Sequence, residues 1–187
     1  MSTPSHLGHK QQAPASIACG VITVSDTRTV DTDKSGQLIR ELLDGAGHRT
    51  AEYHIVPDEP THIRPLLEQM LAKPGVEAVI INGGTGVARR DVTFDVIQTM
   101  VDKPIPGFGE LFRQLSYAEI GSAALLSRAM AGIVAGGVGN SENNSAVDSK
   151  GSSKVVFSVP GSSGAVRLAM EKLILPEMPH IVFELRK

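Results

Sequence analysis

Apolar residues along this chain follow two rhythms. Ile17-Ala18-Cys19-Gly20-Val21-Ile22-Thr23-Val24 is a nearly continuous apolar run that ends in polar Ser25-Asp26-Thr27. Strands buried on both faces, as in parallel α/β sheets, have this signature. After Asp33-Lys34-Ser35, Leu38, Ile39, Leu42 and Leu43 recur at helical intervals and stop at Gly45 and Gly47, a common way for a helix to end. Residues 50–56 predict a second strand, closed by Pro57-Asp58-Glu59-Pro60. Ile63, Leu66, Leu67, Met70 and Leu71 predict a helix ending at Pro74-Gly75, and residues 77–81 a third buried strand cut off by Gly83-Gly84-Thr85-Gly86. A helix from Val92 or Thr93 to Val101 follows, then a mostly helical stretch over 110–131 and a short strand over 130–135. Residues 155–159 predict a further strand, and Pro160-Gly161-Ser162-Ser163-Gly164 leads into an amphipathic helix through Leu173.

Strands alternating with helices of this length imply βαβ units, hence an α/β fold with a largely parallel sheet covered on both faces. Residues 1–15 carry hardly any apolar content and are expected to form a disordered tail. His6 and His9 within it are a weak metal signal without further ligands. The Gly-, Ser- and Asn-rich residues 136–154 are expected to form a flexible loop inside one domain spanning 16–187.

Composition narrows the class. A 187-residue chain of 19.8 kDa buries roughly 70% of its unfolded surface, enough for a core without staples. One cysteine, Cys19, excludes an intramolecular disulfide, and no signal-like or 18-residue apolar stretch opens or crosses the chain. A net charge of −2 and few aromatics argue against a nucleic-acid partner and a base-stacking platform. These features predict a soluble cytoplasmic protein with no membrane association.

The 19 glycines gain meaning from their positions. Three glycine-bearing turns, Gly83/Gly84/Gly86, Gly107/Gly109 and Gly161/Gly164, follow strand ends or precede helices. Such turns let backbone N–H groups approach a phosphate, and parallel sheets bind ligands at their carboxyl edge. Tight turns alone are the competing explanation. Neither a P-loop nor a dinucleotide fingerprint is present. Asp26, Asp58 and Asp91 are each explicable structurally, Asp91 as a helix cap. Together on that edge they would suit a divalent cation bridging phosphates. Cys19 lies in an apolar strand, Ser162 lacks a nucleophile elbow, and His48, His54, His62 and His180 have no metal spacing.

Taken in order, Thr23-Val24-Ser25-Asp26, Asp33-Lys34-Ser35-Gly36, Val56-Pro57-Asp58-Glu59, Gly83-Gly84-Thr85-Gly86 with Arg90-Asp91-Val92-Thr93, Pro106-Gly107-Phe108-Gly109-Glu110 with Arg113, Ser127-Arg128 and Pro160-Gly161-Ser162 form a specific set. Over about residues 17–175 the chain resembles the MoaB/MogA family of molybdenum cofactor biosynthesis proteins, most closely its MoaB branch. The resemblance implies a three-layer α/β sandwich assembled as trimers or hexamers. It also implies molybdopterin adenylyltransferase activity: ATP, molybdopterin and Mg²⁺ giving adenylylated molybdopterin and pyrophosphate. Asp58 and Asp91 then stand at the catalytic and metal-binding positions. Ser25, Asp26, Gly83, Gly84, Thr85, Gly86, Arg90, Gly107, Gly109, Glu110, Pro160, Gly161 and Ser162 stand at substrate-binding ones. The molybdate-inserting enzyme is the implied protein partner. The 136–154 stretch is longer than the family's compact connection. Alternatives are a non-catalytic molybdopterin-binding scaffold and another nucleotide-processing activity, as in CinA-type proteins.

Overall fold

A computed structural model of the chain describes residues 13–135 and 153–187. The expected tail, except residues 13–15, and the expected loop, except its last two residues, lie outside the described residues. Among the described residues six strands, β1 (Ala18–Val24), β2 (Arg49–Val56), β3 (Ala78–Asn82), β4 (Lys103–Pro104), β5 (Met130–Val134) and β6 (Lys154–Val159), form one sheet in the order β2-β1-β3-β6-β5-β4. The first four in that order run parallel, and β5 is antiparallel to β6 and to β4. Helices α1 (Lys34–Gly45), α2 (Pro60–Ala72), α3 (Thr93–Met100), α4 (Pro106–Ile120), α5 (Ser163–Ala169) and α6 (Leu175–Leu185) cover it.

The apolar runs bury both faces of their strands because side chains alternate between them. Cys19 and Val21 of β1, Ala78 and Ile80 of β3 and Phe157 of β6 pack with Ile39 of α1, Phe112 of α4, Val166 of α5 and Met178 of α6. Ile22 and Val24, Val79 and Ile81, and Val156 pack on the other side with Ile63 and Leu67 of α2 and Ile97 of α3. This is the three-layer sandwich. Truncating a fully buried member such as Leu67 to Ala would cost about 2–5 kcal/mol.

Four differences from the sequence-based expectation have local causes. The helical stretch expected over 110–131 begins earlier and ends at Ile120, where Gly121 takes φ 63°. A 3₁₀ turn, Gly121–Leu126, follows before β5. The two-residue edge strand β4 is too short for any periodicity to announce it. The helix expected to stop at Leu173 passes through a π-helical turn, Met170–Ile174, into α6. That wider ladder lies where Pro176 offers no N–H. Lys154, expected in the loop, opens β6 and is buried. Its ammonium donates to the carbonyls of Met70 and Lys73, closing the C-terminal end of α2.

Topology places the site. Strand β1 feeds α1 on one face, whereas its neighbour β3 feeds α3 on the other. The crevice outside their carboxyl ends is the switch point at which open α/β sheets bind ligands.

Candidate functional site

Backbone, rather than side chains, forms the floor of that crevice. Gly83 and Gly84 follow β3 with φ 103° and 61°, the left-handed region that favours glycine. A Cβ on Gly83 would overlap the Val24 carbonyl oxygen, and one on Gly84 would lie 2.5 Å from Asp58 Oδ2. The Gly83 N–H donates to the Val159 carbonyl at 3.1 Å, joining the ends of β3 and β6. Gly161 then passes so close that its Cβ would stand 3.1 Å from the Gly83 Cα. The ends of β1, β3 and β6 thus meet around a cavity of about 380 Å³, lined by Ser25, Arg28, the Gly83-Gly84-Thr85-Gly86 turn, Asp91, Ser127, Pro160 and Gly161. Ser162 caps α5 by accepting from the Ala165 N–H at 3.3 Å.

Two of the three carboxylates, Asp58 and Asp91, lie beside this turn, whereas Asp26 lines a separate cavity with Tyr53 and His54. Asp58 Oδ1 accepts from the Val92 N–H at 3.3 Å and the Thr93 hydroxyl at 3.2 Å, so it closes the N-terminus of α3 from a remote loop. Asp91, for which a helix cap was the structural alternative, does not cap α3 but accepts from the Ala88 N–H at 2.9 Å and braces its own loop. A Cβ on Gly86 would lie 2.6 Å from Asp91 Oδ2. Asp26 Oδ1 accepts from the Asp58 N–H at 3.1 Å, and Asp26 pairs with exposed Arg90. Burial pushes the Asp58 carboxyl above its ordinary value, and the negative charge of Asp91 adds to the rise. The Val92 and Thr93 hydrogen bonds pull the other way without cancelling it. A cation beside Asp58 would reverse that penalty.

Among the described residues, no three or more His, Cys, Asp or Glu side chains gather as a metal cage. Asp58 and Asp91 on either side of the glycine turn nonetheless suit Mg²⁺, which uses one or two carboxylates and fills its octahedron with water and substrate phosphates.

The second glycine turn stands apart. Gly109 and Glu110 line a neighbouring cavity of about 410 Å³ with Phe94, Ile105, Arg113 and Arg128, and Ser127 lines both cavities. Gly109 admits the Ala129 carbonyl, 2.6 Å from where its Cβ would be, so close packing accounts for it. Gly107 and Gly164 have open space at the Cβ position.

Sequence reasoning missed the residues that hold the turns. Asp33, the N-cap of α1, is 1% exposed. It accepts from Thr23 Oγ1 at 2.5 Å, Tyr53 Oη at 2.6 Å, the Gly36 N–H at 3.0 Å and Arg28 Nη1 at 3.3 Å. Burial pushes this carboxyl up, but bonds from Thr23, Tyr53, Gly36 and Ser35 outweigh it and hold Asp33 below the ordinary carboxylate range. Arg128 donates to the Thr85 and Asp91 carbonyls at 3.2 and 2.7 Å and to Asp95 at 3.0 Å, so it clamps the glycine turn and the Asp91 loop together. The cap position of Asp33 was the available signal; the long-range partners of Asp33 and Arg128 left none.

Comparison with known proteins gives consistent matches. A family model described as a probable molybdopterin binding domain matches residues 20–180. The chain is 51% identical over 180 residues to the molybdenum cofactor biosynthesis protein B of Bacillus cereus, covering 96% of each chain. The crystal structure of a molybdenum cofactor biosynthesis protein B superposes with TM-score 0.81 at 51% identity, over 93% of this chain and 98% of that one. The tungsten cofactor synthesizing protein MoaB from Pyrococcus furiosus superposes with TM-score 0.75 at 39% identity, over 94% and 100% of the two chains.

Proposed function

The chain belongs to the MoaB/MogA family of molybdenum cofactor biosynthesis proteins, and from that premise we propose that it transfers AMP from ATP to molybdopterin. A terminal phosphate oxygen of molybdopterin attacks the α-phosphorus of ATP. The new P–O bond forms as the bond to the bridging oxygen breaks, and pyrophosphate departs with the electron pair. A phosphate nucleophile is already ionised near neutral pH, so no strong base is required. Positioning and charge neutralisation carry such a transfer.

The observation that supports this reading best is the cradle of Gly83, Gly84 and Gly161 flanked by Asp58 and Asp91. Its backbone turns would orient the phosphates. Mg²⁺ held by Asp58 and Asp91 would supply screening of the phosphate charge. Arg128, by holding the Thr85 and Asp91 carbonyls, keeps Asp91 against the turn. The neighbouring cavity at Ser127, with Gly109 and Glu110, leaves room for the remainder of a substrate.

Exposed Leu111, Ile120, Leu125 and Leu126, the last two at 79% and 57% exposure, support self-association as a trimer or hexamer. Light scattering showing a stable monomer at micromolar concentration would contradict it. The adenylylated product would pass to the molybdate-inserting enzyme.

The decisive assay incubates the chain with molybdopterin, ATP and Mg²⁺ and follows pyrophosphate and adenylylated pterin. Turnover is expected. A chain that binds pterin without turnover would replace this reading with that of a non-catalytic molybdopterin-binding protein.

A further inference from the structure

The cradle is made of two backbone segments from distant parts of the chain; the Gly83 N–H to Val159 carbonyl bond joins them at the sheet edge, and one side chain ties the turn beyond it. Arg28 Nη2 donates to the Gly161 carbonyl at 2.9 Å, across a sequence separation of 133 residues. Its Nη1 donates to Ser35 Oγ at 2.5 Å and Asp33 Oδ1 at 3.3 Å, at the start of α1. The Ser35 hydroxyl lies 2.6 Å from Oδ1 of Asn82, the residue just before Gly83. Asn82 Nδ2 in turn donates to Thr23 Oγ1 at 2.9 Å, and Thr23 donates to Asp33. Carboxyl-end residues of β1 and β3 and the turn after β6 are therefore tied through one guanidinium and the buried network that neutralises it.

We infer that Arg28 is a positioning residue that fixes the width of the phosphate cradle, holding the Gly161 turn against Gly83. This inference rests on the adenylyl-transfer reading for its substrate, a polyphosphate, but its geometry stands alone. Three features argue for this role. The Gly161 Cβ position lies 3.1 Å from the Gly83 Cα and 3.7 Å from Arg28 Nη1, so the turn is seated against both. The planar fork of arginine aims one nitrogen at each side, which the single point charge of lysine does not reproduce. The Arg28 side chain is 31% exposed and lines the cavity, while its partner Asp33 is fully covered. An incoming phosphate thus meets a cation already held in place. Pre-ordered charge of this kind stabilises a transferring phosphoryl group without reorganisation at the moment of reaction.

The test compares the wild-type chain with Arg28→Ala and Arg28→Lys. Hydrogen exchange over residues 159–165 should accelerate at least 10-fold in both variants while β1 and β3 stay protected. Calorimetric binding of inorganic pyrophosphate should weaken at least 10-fold in Arg28→Ala, and millimolar methylguanidinium should restore it. In the adenylyl-transfer assay kcat should fall more than KM rises, with the same rescue. Exchange over 159–165 unchanged in Arg28→Lys overturns the inference, even if Arg28→Ala does not fold. Pyrophosphate binding retained in a folded Arg28→Ala overturns it as well. If the wild-type chain turns nothing over but exchange and pyrophosphate binding respond as expected, the positioning role stands and the adenylyl-transfer reading alone fails.

Discussion

Two carboxylates close helix N-termini at the same edge of the sheet and fare oppositely. Asp33 at α1 is covered, receives donors from Thr23, Tyr53, Arg28 and the Gly36 backbone, and is held below the ordinary carboxylate range. Asp58 at α3 receives the Val92 N–H and the Thr93 hydroxyl, faces the charge of Asp91, and is pushed above that range. Burial acts on both in the same direction; the hydrogen bonds outweigh it at Asp33, and at Asp58 they do not, with the Asp91 charge added to the rise. The fold has completed Asp33, so its charge contributes to stability. Asp58 is left short of positive charge beside the glycine turn, a state that costs the apo-protein stability and suits a site awaiting a cation or a phosphate-bound metal.

The largest expected effect comes from breaking the completed side. Asp33→Ala strands the Thr23, Tyr53 and Arg28 donors and removes the α1 cap. Loss of one partner from a buried charged network costs about 3–5 kcal/mol. Urea unfolding should register that loss, and a midpoint within error of wild type would refute the claim that Asp33 belongs to the fold.

Asp58→Asn tests the other side, and its effects should diverge. The amide oxygen still accepts from Val92 and Thr93, so the melting temperature should hold or rise. Adenylyl transfer should fall on the order of 10²–10³-fold, the usual cost of removing one electrostatic group from a transition state. The sign of the pH dependence follows from the raised carboxyl. Its contribution to stability is fully present below the unfolded value of 3.8 and is lost as pH rises through the higher folded value. The stability advantage of Asp58→Asn should therefore grow upward from about pH 3.8 and then level off. Equal destabilisation and inactivation would make Asp58 an ordinary helix cap.

The contrast also separates what the sequence discloses from what it hides. The apolar runs of β1 and β3 and the Gly83-Gly84-Thr85-Gly86 turn were legible, because burial on both faces and positive φ leave marks on consecutive residues. Asp33 sits at a recognisable cap position ahead of Leu38 and Ile39. The cap of α3 is not legible, because Asp91 lies next to the helix in sequence whereas Asp58, 34 residues from Val92, reaches it in space. The bond from Arg28 to Gly161 leaves no local pattern at either end. Edge strand β4 and helix α6 failed for another reason: two residues carry no period, and Pro176 and Pro179 mimic a helix stop.

Two single-donor deletions give the finest and smallest test. Tyr53→Phe removes the 2.6 Å bond to Asp33 and leaves the ring against Arg40. A hydrogen bond to a charged group is worth about 1.5–3 kcal/mol, so Tyr53→Phe should lose up to that much stability near neutral pH. Asp33 contributes stability above its unfolded value of 3.8 and loses it as pH falls through the lower folded value. With one donor gone the folded value moves back toward 3.8, and the acid-side loss should shrink. Thr93→Val, nearly isosteric, takes one donor from Asp58 instead. This too is a hydroxyl donating to a carboxylate, so its loss should cost up to about 1.5–3 kcal/mol where Asp58 is ionised, and raise the Asp58 carboxyl further. The acid limb of adenylyl transfer against pH should then shift upward in Thr93→Val and stay in place in Tyr53→Phe. Identical pH–rate limbs in the two variants would mean that donor number does not set the difference between these carboxylates.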